Sequence, residues 1–199
     1  MSRIAIPTNE ELTPPQAEVV QEVLSGRRTF VPLPVYAWMQ NPEFAHRAQR
    51  LGELLRFETI LATHESELAI LICGAHWLSH YEWSVHKQIA LKAGLDPRTV
   101  IDLAAGREPF LRNDREEAIF QVASTLLKTR RVPDALYRRG RDILSERGLV
   151  ELVGILGYYT LISLTLNAFE LGIPEHVAPE LNDPDHADPG PVSRGAHRR

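Results

Sequence analysis

The apolar residues of this chain recur with the spacing of helices. Phe44, Ala48, Leu51 and Leu55 lie three or four positions apart, which places them on one face of a helix, and most other segments repeat this spacing. No segment alternates between apolar and polar residues for long enough to indicate a sheet. The pattern therefore predicts an all-α protein of about seven or eight helices joined by short loops.

Capping residues and prolines mark where the predicted helices begin. Starts are predicted where such residues precede an apolar pattern, at Thr13-Pro14, Asn41-Pro42, Asp96-Pro97, Asn113-Asp114 and Pro133-Asp134. The longest pattern runs from about residue 65 to residue 93. Within it, Ser79 and Glu82 have the spacing of a capping box, in which the Glu side chain reaches back to the backbone of the Ser. This box predicts a break in the helix near residues 78–79.

One segment is apolar enough to raise the question of a membrane. Residues 149–169 carry a single charge, Glu151, and a membrane-spanning helix needs about 20 apolar residues. The segment also contains Gly154, Gly157 and Asn167, and no second segment of this kind accompanies it. These features favour a helix buried in a core or in a subunit interface, so no membrane contact is predicted.

A weak internal repeat links this segment to an earlier one. Glu67 followed by Ser79 matches Glu151 followed by Ser163 at an offset of 84 residues, with mostly apolar residues between them. A duplicated helical hairpin would produce this pattern.

Composition narrows the class of protein. The chain has 199 residues and a formal net charge of −4, which suits one domain and gives no basic surface for nucleic acid. Its single cysteine, Cys73, excludes a disulfide or a Cys-rich metal site within one chain. One domain is predicted for residues 1–174, followed by a flexible, proline-rich tail at residues 175–199. The N-terminus lacks the apolar core of a signal peptide, so a cytoplasmic location is expected.

The residues able to carry chemistry cluster in one stretch of the chain. Glu82 and His86 are four positions apart and share a helix face, and a carboxylate beside an imidazole can orient it for proton transfer. Glu67 would add a second carboxylate if the chain folds back as a hairpin. His76 and His80 have the spacing of two metal ligands, but two histidines do not make a site, so no metal is predicted.

These residues also have structural interpretations. Ser79 and Glu82 suit a helix cap, His86 suits a surface or a satisfied core position, and Cys73 in an apolar helix suits a small buried hydrophobic side chain. Spacing alone therefore indicates an all-α protein with a candidate acid–base cluster.

The same stretch resembles the carboxymuconolactone decarboxylase family, which also contains the AhpD-like alkylhydroperoxidases. In the redox members of that family, a Glu is followed twelve residues later by Cys-x-x-Cys and then, after three more residues, by His. Glu67 and His86 keep the Glu and His positions here, whereas Ser79 and Glu82 stand at the two cysteine positions. The chain therefore resembles a member that lacks the redox motif.

The resemblance extends over residues 41–174. The segment at residues 113–118 resembles the start of the family's next long helix, and Gly157-Tyr158-Tyr159 with Asn167-Ala168 resembles its closing helix. The resemblance implies an AhpD-like helical domain that needs no cofactor and assembles as a homo-oligomer, a trimer or a hexamer.

The departure from the redox motif decides which activity the resemblance implies. Dithiol peroxide chemistry needs a thiolate and a second, resolving thiol, and Cys73 lies six residues before the first cysteine position with no partner. The chain is therefore more similar to the non-redox branch. That branch implies a cofactor-free lyase acting on a small carboxylated lactone or a related intermediate of aromatic catabolism.

The resemblance also implies roles for the clustered residues. His86 is expected to be the acid–base residue, while Glu82 and Glu67 orient it or hold protons. The residues expected to bind substrate follow the helix break: Ser79, His80 and Tyr81.

Two alternative functions remain open at this point. One is an alkylhydroperoxidase or peroxiredoxin-type antioxidant activity through Cys73, and the other is an oligomer that binds a small molecule without turnover. A carboxylated substrate would also need an Arg or Lys partner. Arg47, Arg50 and Arg56 precede the cluster, but their spacing places none of them in a site.

Overall fold

The protein is all-helical, as its sequence predicts. A computed structural model describes residues 2–173 and 178–182, and within these residues it contains eight helices and no strand. In chain order these are α1 (Pro14–Ser25), α2 (Leu33–Trp38), α3 (Pro42–Phe57), α4 (Thr63–His76), α5 (His80–Lys92), α6 (Pro97–Ala104), α7 (Asp114–Thr129) and α8 (Asp134–Ala168).

Side-chain caps fix several helix starts where the sequence predicts them. The Asn41 side chain accepts a hydrogen bond from the backbone N–H of Phe44 at 3.3 Å and begins α3. Asn113 accepts from two backbone N–H groups of the first turn of α7, each at 3.0 Å. Asp96 likewise accepts from Arg98 at 2.9 Å and begins α6. These short polar side chains satisfy N–H groups that have no partner inside the helix.

Helix α4 forms the centre of the fold. Its residues 65–74 are all buried, and it packs against α5, α7 and α8. A helix that is apolar on every side can be stable only when other elements surround it. The carboxylate of Glu67 is carried into the core on this helix.

Helix α3 buries two of the four residues that define its apolar spacing, Ala48 and Leu55. The other two, Phe44 and Leu51, are 41% and 49% exposed, while the small residues Ala45 and Gly52 are buried. The reason is a close approach of α8, because a Cβ added to Gly52 would lie 2.0 Å from the Tyr158 hydroxyl. Small side chains permit this contact and bring Tyr158 under α3.

Helix α8 consists of two helical segments joined by a kink. Ser145 has a φ of 71° inside the helix, and its hydroxyl accepts a hydrogen bond from the backbone N–H of Gly148 at 3.3 Å. The kink separates the two helices that the sequence predicts here. Glu151 and Ser163 lie together in the second, uninterrupted segment, whereas the chain breaks before Ser79. The weak repeat therefore does not correspond to two similar hairpins.

The second segment of α8 is a core helix. Among the described residues, α8 is the one helix long and apolar enough to cross a membrane, and 56% of its most apolar stretch is buried within the protein. This burial fits the core helix of a soluble protein. Its outer side exposes Val150, Val153 and Leu164. The homo-oligomer and the cytoplasmic location remain predictions.

A short C-terminal segment lies against α5. Glu180 accepts hydrogen bonds from the indole N–H of Trp83 at 3.2 Å and from Lys87 at 2.6 and 2.7 Å, and Leu181 is buried. Within the tail predicted for residues 175–199, residues 178–182 therefore contact α5 through Glu180 and bury the side chain of Leu181. The rest of that tail lies outside the described residues.

Candidate functional site

A break between α4 and α5 brings the clustered residues together. Helix α4 ends at His76, Leu78 adopts a φ of 50°, and α5 begins at His80. The predicted break is confirmed, but the predicted capping box is wrong. The Ser79 side chain makes no capping hydrogen bond, and the Glu82 carboxylate bonds to His86 instead of reaching back to Ser79.

Two carboxylates hold the His86 imidazole from opposite sides. Its Nδ1 lies 2.6 Å from Oε2 of Glu67, and its Nε2 lies 2.8 Å from Oε1 of Glu82. The three residues are only 2–5% exposed. The ring of Tyr159 on α8 packs edge-on against the imidazole, with 5.0 Å between ring centroids. The hairpin of α4 and α5 thus builds a buried carboxylate–imidazole–carboxylate chain.

The two carboxylates keep His86 protonated near neutral pH. Burial by itself would lower the pKa of His86, but the charges and hydrogen bonds of Glu67 and Glu82 outweigh it and raise that pKa to about 9. The imidazolium then donates one N–H to each carboxylate. A proton can therefore move between Glu67, His86 and Glu82 without rotation of any of these side chains.

A small, enclosed cavity adjoins Glu82 and His86. Its volume is about 30 Å³, which is room for roughly two water molecules. Tyr81 lines it, together with residues from more distant parts of the chain: Arg28, Phe30, Trp38, Arg56, Tyr158 and Tyr159. Arg28 and Phe30 belong to the loop between α1 and α2, so that loop forms part of the cavity wall.

A second cavity lies at the Glu67 end of the buried Glu67–His86–Glu82 hydrogen-bonded chain. Glu67 borders it together with Arg56, Thr59 and Thr63, and its volume is about 220 Å³. Arg56 lines both cavities. The buried imidazolium therefore lies between an enclosed aromatic cavity and a wider cleft.

The structure separates the three residues expected to bind substrate. Tyr81 lines the enclosed cavity, and burial together with the charge of Glu82 raises its pKa. Ser79 and His80 are buried at the start of α5 and do not line that cavity.

Sequence reasoning missed most of the cavity wall. Trp38 and Arg28 lie 44 or more positions before Glu82, and no spacing rule connects such distant residues. The pair Tyr158-Tyr159 carried a signal, because two adjacent aromatic residues interrupt an otherwise aliphatic helix. Arg56 was considered from the sequence, and the structure places it in the wall of the cavity.

The environment of Cys73 does not favour thiolate chemistry. Its sulfur is buried against α8, 3.7 Å from the carbonyl oxygen of Leu156 and 3.6 Å from the hydroxyl of Thr160. Burial, reinforced by the charge of Glu82 and opposed by a hydrogen bond to Thr160, raises the pKa of the thiol to about 12. A thiol must ionise to act as a nucleophile, so Cys73 is held in its unreactive form.

Cys73 is expected to resist alkylation while the protein is folded. At pH 8 a free thiol of ordinary pKa is partly ionised, whereas burial both keeps Cys73 neutral and excludes the reagent. Iodoacetamide labelling followed by mass spectrometry should therefore be slower by about 100-fold or more than in urea-unfolded protein. Labelling of the folded protein at the unfolded rate would contradict this assignment.

The described part of the chain contains no cluster of side chains that could form a metal site. Within residues 2–173 and 178–182, no group of three or more His, Cys, Asp and Glu side chains is arranged to hold a metal ion. His76 and His80 lie on different helices, so their spacing in sequence does not make a ligand pair.

Comparison with solved structures identifies the fold. An alkylhydroperoxidase AhpD core protein from Ralstonia eutropha, described as an uncharacterized peroxidase-related protein, superposes with a TM-score of 0.72 at 17% identity, covering 87% of this chain and 93% of that one. An uncharacterized peroxidase-related protein from Silicibacter gives a TM-score of 0.71 at 14% identity, covering 88% and 92%.

An enzyme with a bound ligand shares this fold. The debrominase Bmp8 in complex with 2,3,4-tribromopyrrole superposes with a TM-score of 0.68 at 15% identity, covering 85% of this chain and 92% of that one. No protein-family model matches the chain, and no curated protein matches it by sequence. The chain therefore has the AhpD-like helical fold, with a buried Glu–His–Glu chain at its candidate site.

Proposed function

We propose that the protein is a cofactor-free lyase that removes CO2 from a small carboxylated lactone, or from a related intermediate of aromatic catabolism. The observation that carries this proposal is the buried chain of Glu67, His86 and Glu82 beside an enclosed aromatic cavity. Small-molecule sites are usually pockets of about 300–1,000 Å³ with a few convergent polar groups and shifted pKa values, so the proposal requires this cavity to enlarge when substrate binds.

Decarboxylation needs a proton donor after the carbon–carbon bond has broken. When the bond between the substrate and its carboxylate breaks, CO2 leaves and the electron pair stays on the substrate, delocalised into the conjugated lactone. A proton must then be added to carbon. Glu82 borders the cavity and lies 2.8 Å from the protonated Nε2 of His86, so Glu82 can pass that proton to the substrate.

Glu67 completes the transfer. After His86 has given up its Nε2 proton, the hydrogen bond from Nδ1 to Glu67, at 2.6 Å, holds the neutral ring in one tautomer and orientation. Glu67 also borders the wider cleft, from which a proton can return to the imidazole. Because both ring nitrogens of His86 are occupied by carboxylates, we assign direct contact with substrate to Glu82 and the proton reserve to His86.

The peroxidase alternative has less support. It depends on a thiolate, and the single cysteine of this chain is buried with a pKa of about 12. The peroxidase-related neighbours have 14–17% identity with this chain, which supports the fold and carries no chemistry. A fold hosts many activities, and the site residues decide which of them is present.

The proposal is tested by supplying 4-carboxymuconolactone and measuring CO2 release. The wild-type protein is expected to turn it over, and Glu82→Gln is expected to lower kcat by about 10²–10⁴-fold, the usual contribution of a proton-transferring side chain. Two controls should retain activity: Glu43→Gln, which alters an exposed carboxylate paired with Arg47, and Cys73→Ser.

Three results would contradict it. These are no CO2 release by the wild type, full activity in folded Glu82→Gln, and loss of activity in Cys73→Ser. Saturable binding of the lactone without any product would instead indicate the non-catalytic alternative.

A further inference from the structure

Two arginines line the enclosed cavity without a carboxylate partner. Arg28 and Arg56 are both partly buried there, and within the described part of the chain neither one forms an ion pair. Other arginines nearby behave differently, since Arg47 pairs with Glu43 and Arg50 pairs with Glu22. Partly buried guanidinium groups are normally paired, so this arrangement calls for an explanation.

The hydrogen bonds of Arg28 are incomplete. Its Nη1 donates to the backbone carbonyl oxygen of Gln49 at 3.2 Å. Its Nε is buried and has no hydrogen-bond partner among the described residues, and the same is true of Nε2 of Gln49. Buried donors without acceptors are costly. An occupant of the cavity with acceptor oxygens would satisfy the Nε of Arg28.

Both guanidinium groups act on the same wall of the cavity. Burial raises the pKa of Tyr158 to about 12, and the charges of Arg28 and Arg56 oppose that rise. Tyr158 lies in edge contact with Trp38, 6.1 Å between centroids. The two cations are therefore close to a pair of aromatic rings that would contact the apolar body of a ligand.

The formal charges of the cavity and of the buried Glu–His–Glu chain beside it leave one positive charge in excess. Glu82 at the cavity and Glu67 behind His86 contribute two negative charges. Protonated His86, Arg28 and Arg56 contribute three positive charges. A buried net charge is unfavourable unless a counter-charge accompanies it. One carboxylate group in the cavity would balance the site.

We propose that Arg28 and Arg56 bind one carboxylate group of the substrate, with the rest of a small, flat organic anion against Trp38 and Tyr158. The assignment rests on the proposed function, because it names the substrate class of the same site. Guanidinium groups suit this role since their N–H groups match the geometry of a carboxylate. Arg28 lies on the loop between α1 and α2, so binding of the anion would also hold that loop over the cavity.

The test compares two ligands of the same shape and different charge. Benzoate carries one carboxylate, and benzamide is its neutral counterpart. Calorimetric titration of the wild-type protein is expected to give at least tenfold tighter binding of benzoate. Arg28→Gln and Arg56→Gln should each weaken benzoate binding by about 10- to 100-fold, as for a hydrogen bond between charged groups, with little effect on benzamide.

Control variants separate loss of recognition from loss of folding. Arg50→Gln removes a surface arginine paired with Glu22 and should bind benzoate like the wild type. Arg28→Lys and Arg56→Lys keep the charge but lose the paired N–H geometry, so each should bind benzoate more weakly than the wild type and more tightly than the corresponding Gln variant. Equal or undetectable binding of both ligands by the wild type, or unchanged benzoate binding in the folded Gln variants, would overturn the assignment.

The binding experiment is independent of turnover. Selective benzoate binding that depends on both arginines, combined with no CO2 release from 4-carboxymuconolactone, would contradict the proposed lyase and leave the carboxylate site standing. Decarboxylation of 4-carboxymuconolactone without selective binding of benzoate would contradict the carboxylate site and leave the proposed lyase standing.

Discussion

A His86→Leu variant is expected to lose about 3–5 kcal/mol of unfolding free energy at pH 7, the usual cost of removing one partner from a buried ion pair. Glu67 and Glu82 would remain buried, at 2% and 5% exposure, with no cation between them. Part of the loss should be recovered at pH 4–5, because protonation removes the charge of the two carboxylates. Urea unfolding followed by circular dichroism at both pH values measures the effect.

Two further variants test the cause of this loss. His76→Leu changes an exposed histidine outside the cluster and should cost little. The triple variant Glu67→Gln, Glu82→Gln, His86→Leu should recover much of the unfolding free energy. Replacing a whole buried ion cluster by neutral groups is far less costly than removing one of its members. If His86→Leu were as stable as the wild type at pH 7, the buried charges would not interact as their distances indicate.

Wild-type stability is expected to fall as the pH rises from about 6.5 to about 9. The folded-state pKa of His86 is about 9, above its ordinary value of 6.5. A group whose pKa is raised by folding contributes its stability in full below the unfolded pKa and loses it as the pH passes through the folded pKa. A shift of this size corresponds to a loss on the order of 3 kcal/mol across that interval.

The assignment to His86 can be checked directly. NMR titration of the histidine ring protons should show one imidazole that titrates well above the others. In Glu82→Gln, one of the two carboxylates that raise the pKa is gone, so this signal should move toward the ordinary value and the fall in stability should begin at lower pH. A flat stability profile between pH 6.5 and 9, or a His86 ring that titrates near 6.5, would contradict the arrangement.

The fold of this protein does not by itself decide which reaction it catalyses. Its structural neighbours include peroxidase-related proteins and a debrominase, and at 14–15% identity they share the fold with this chain and no more. In this chain Glu82 places a carboxylate 2.8 Å from His86. A carboxylate can exchange a proton with an imidazole and cannot exchange electrons. This pair therefore supports the proposed proton transfer.

Local patterns were enough to predict most of the fold. Caps such as Asn41 and Asn113 act within one turn of helix, and their hydrogen bonds to the following backbone N–H groups form as expected. The break before Ser79 was also predicted. The apolar spacing of α3 matches the buried Ala48 and Leu55. It did not reveal the buried Gly52, because Tyr158 approaches it from a helix about a hundred residues further along the chain.

The candidate site was predicted only where its residues lie within one helical turn of each other. Glu82 and His86 are four positions apart, and one helical turn brings them together. The capping role of Glu82 was wrong, since the same carboxylate has two possible partners and the spacing does not choose between them. In the folded chain the buried imidazolium is the stronger partner for a carboxylate, and Glu67 reaches it from the neighbouring helix at 2.6 Å.

By itself, the sequence determined that the protein is all-helical, that Glu82 and His86 share one helix face, and that no pair of thiols is available. Tertiary structure alone decided that both nitrogens of His86 face carboxylates, and that Arg28 and Arg56 share a cavity with Glu82. Helix formation and capping depend on residues within a few positions of each other. The pKa of a buried group depends on burial and on charges that only the packing of distant helices brings near.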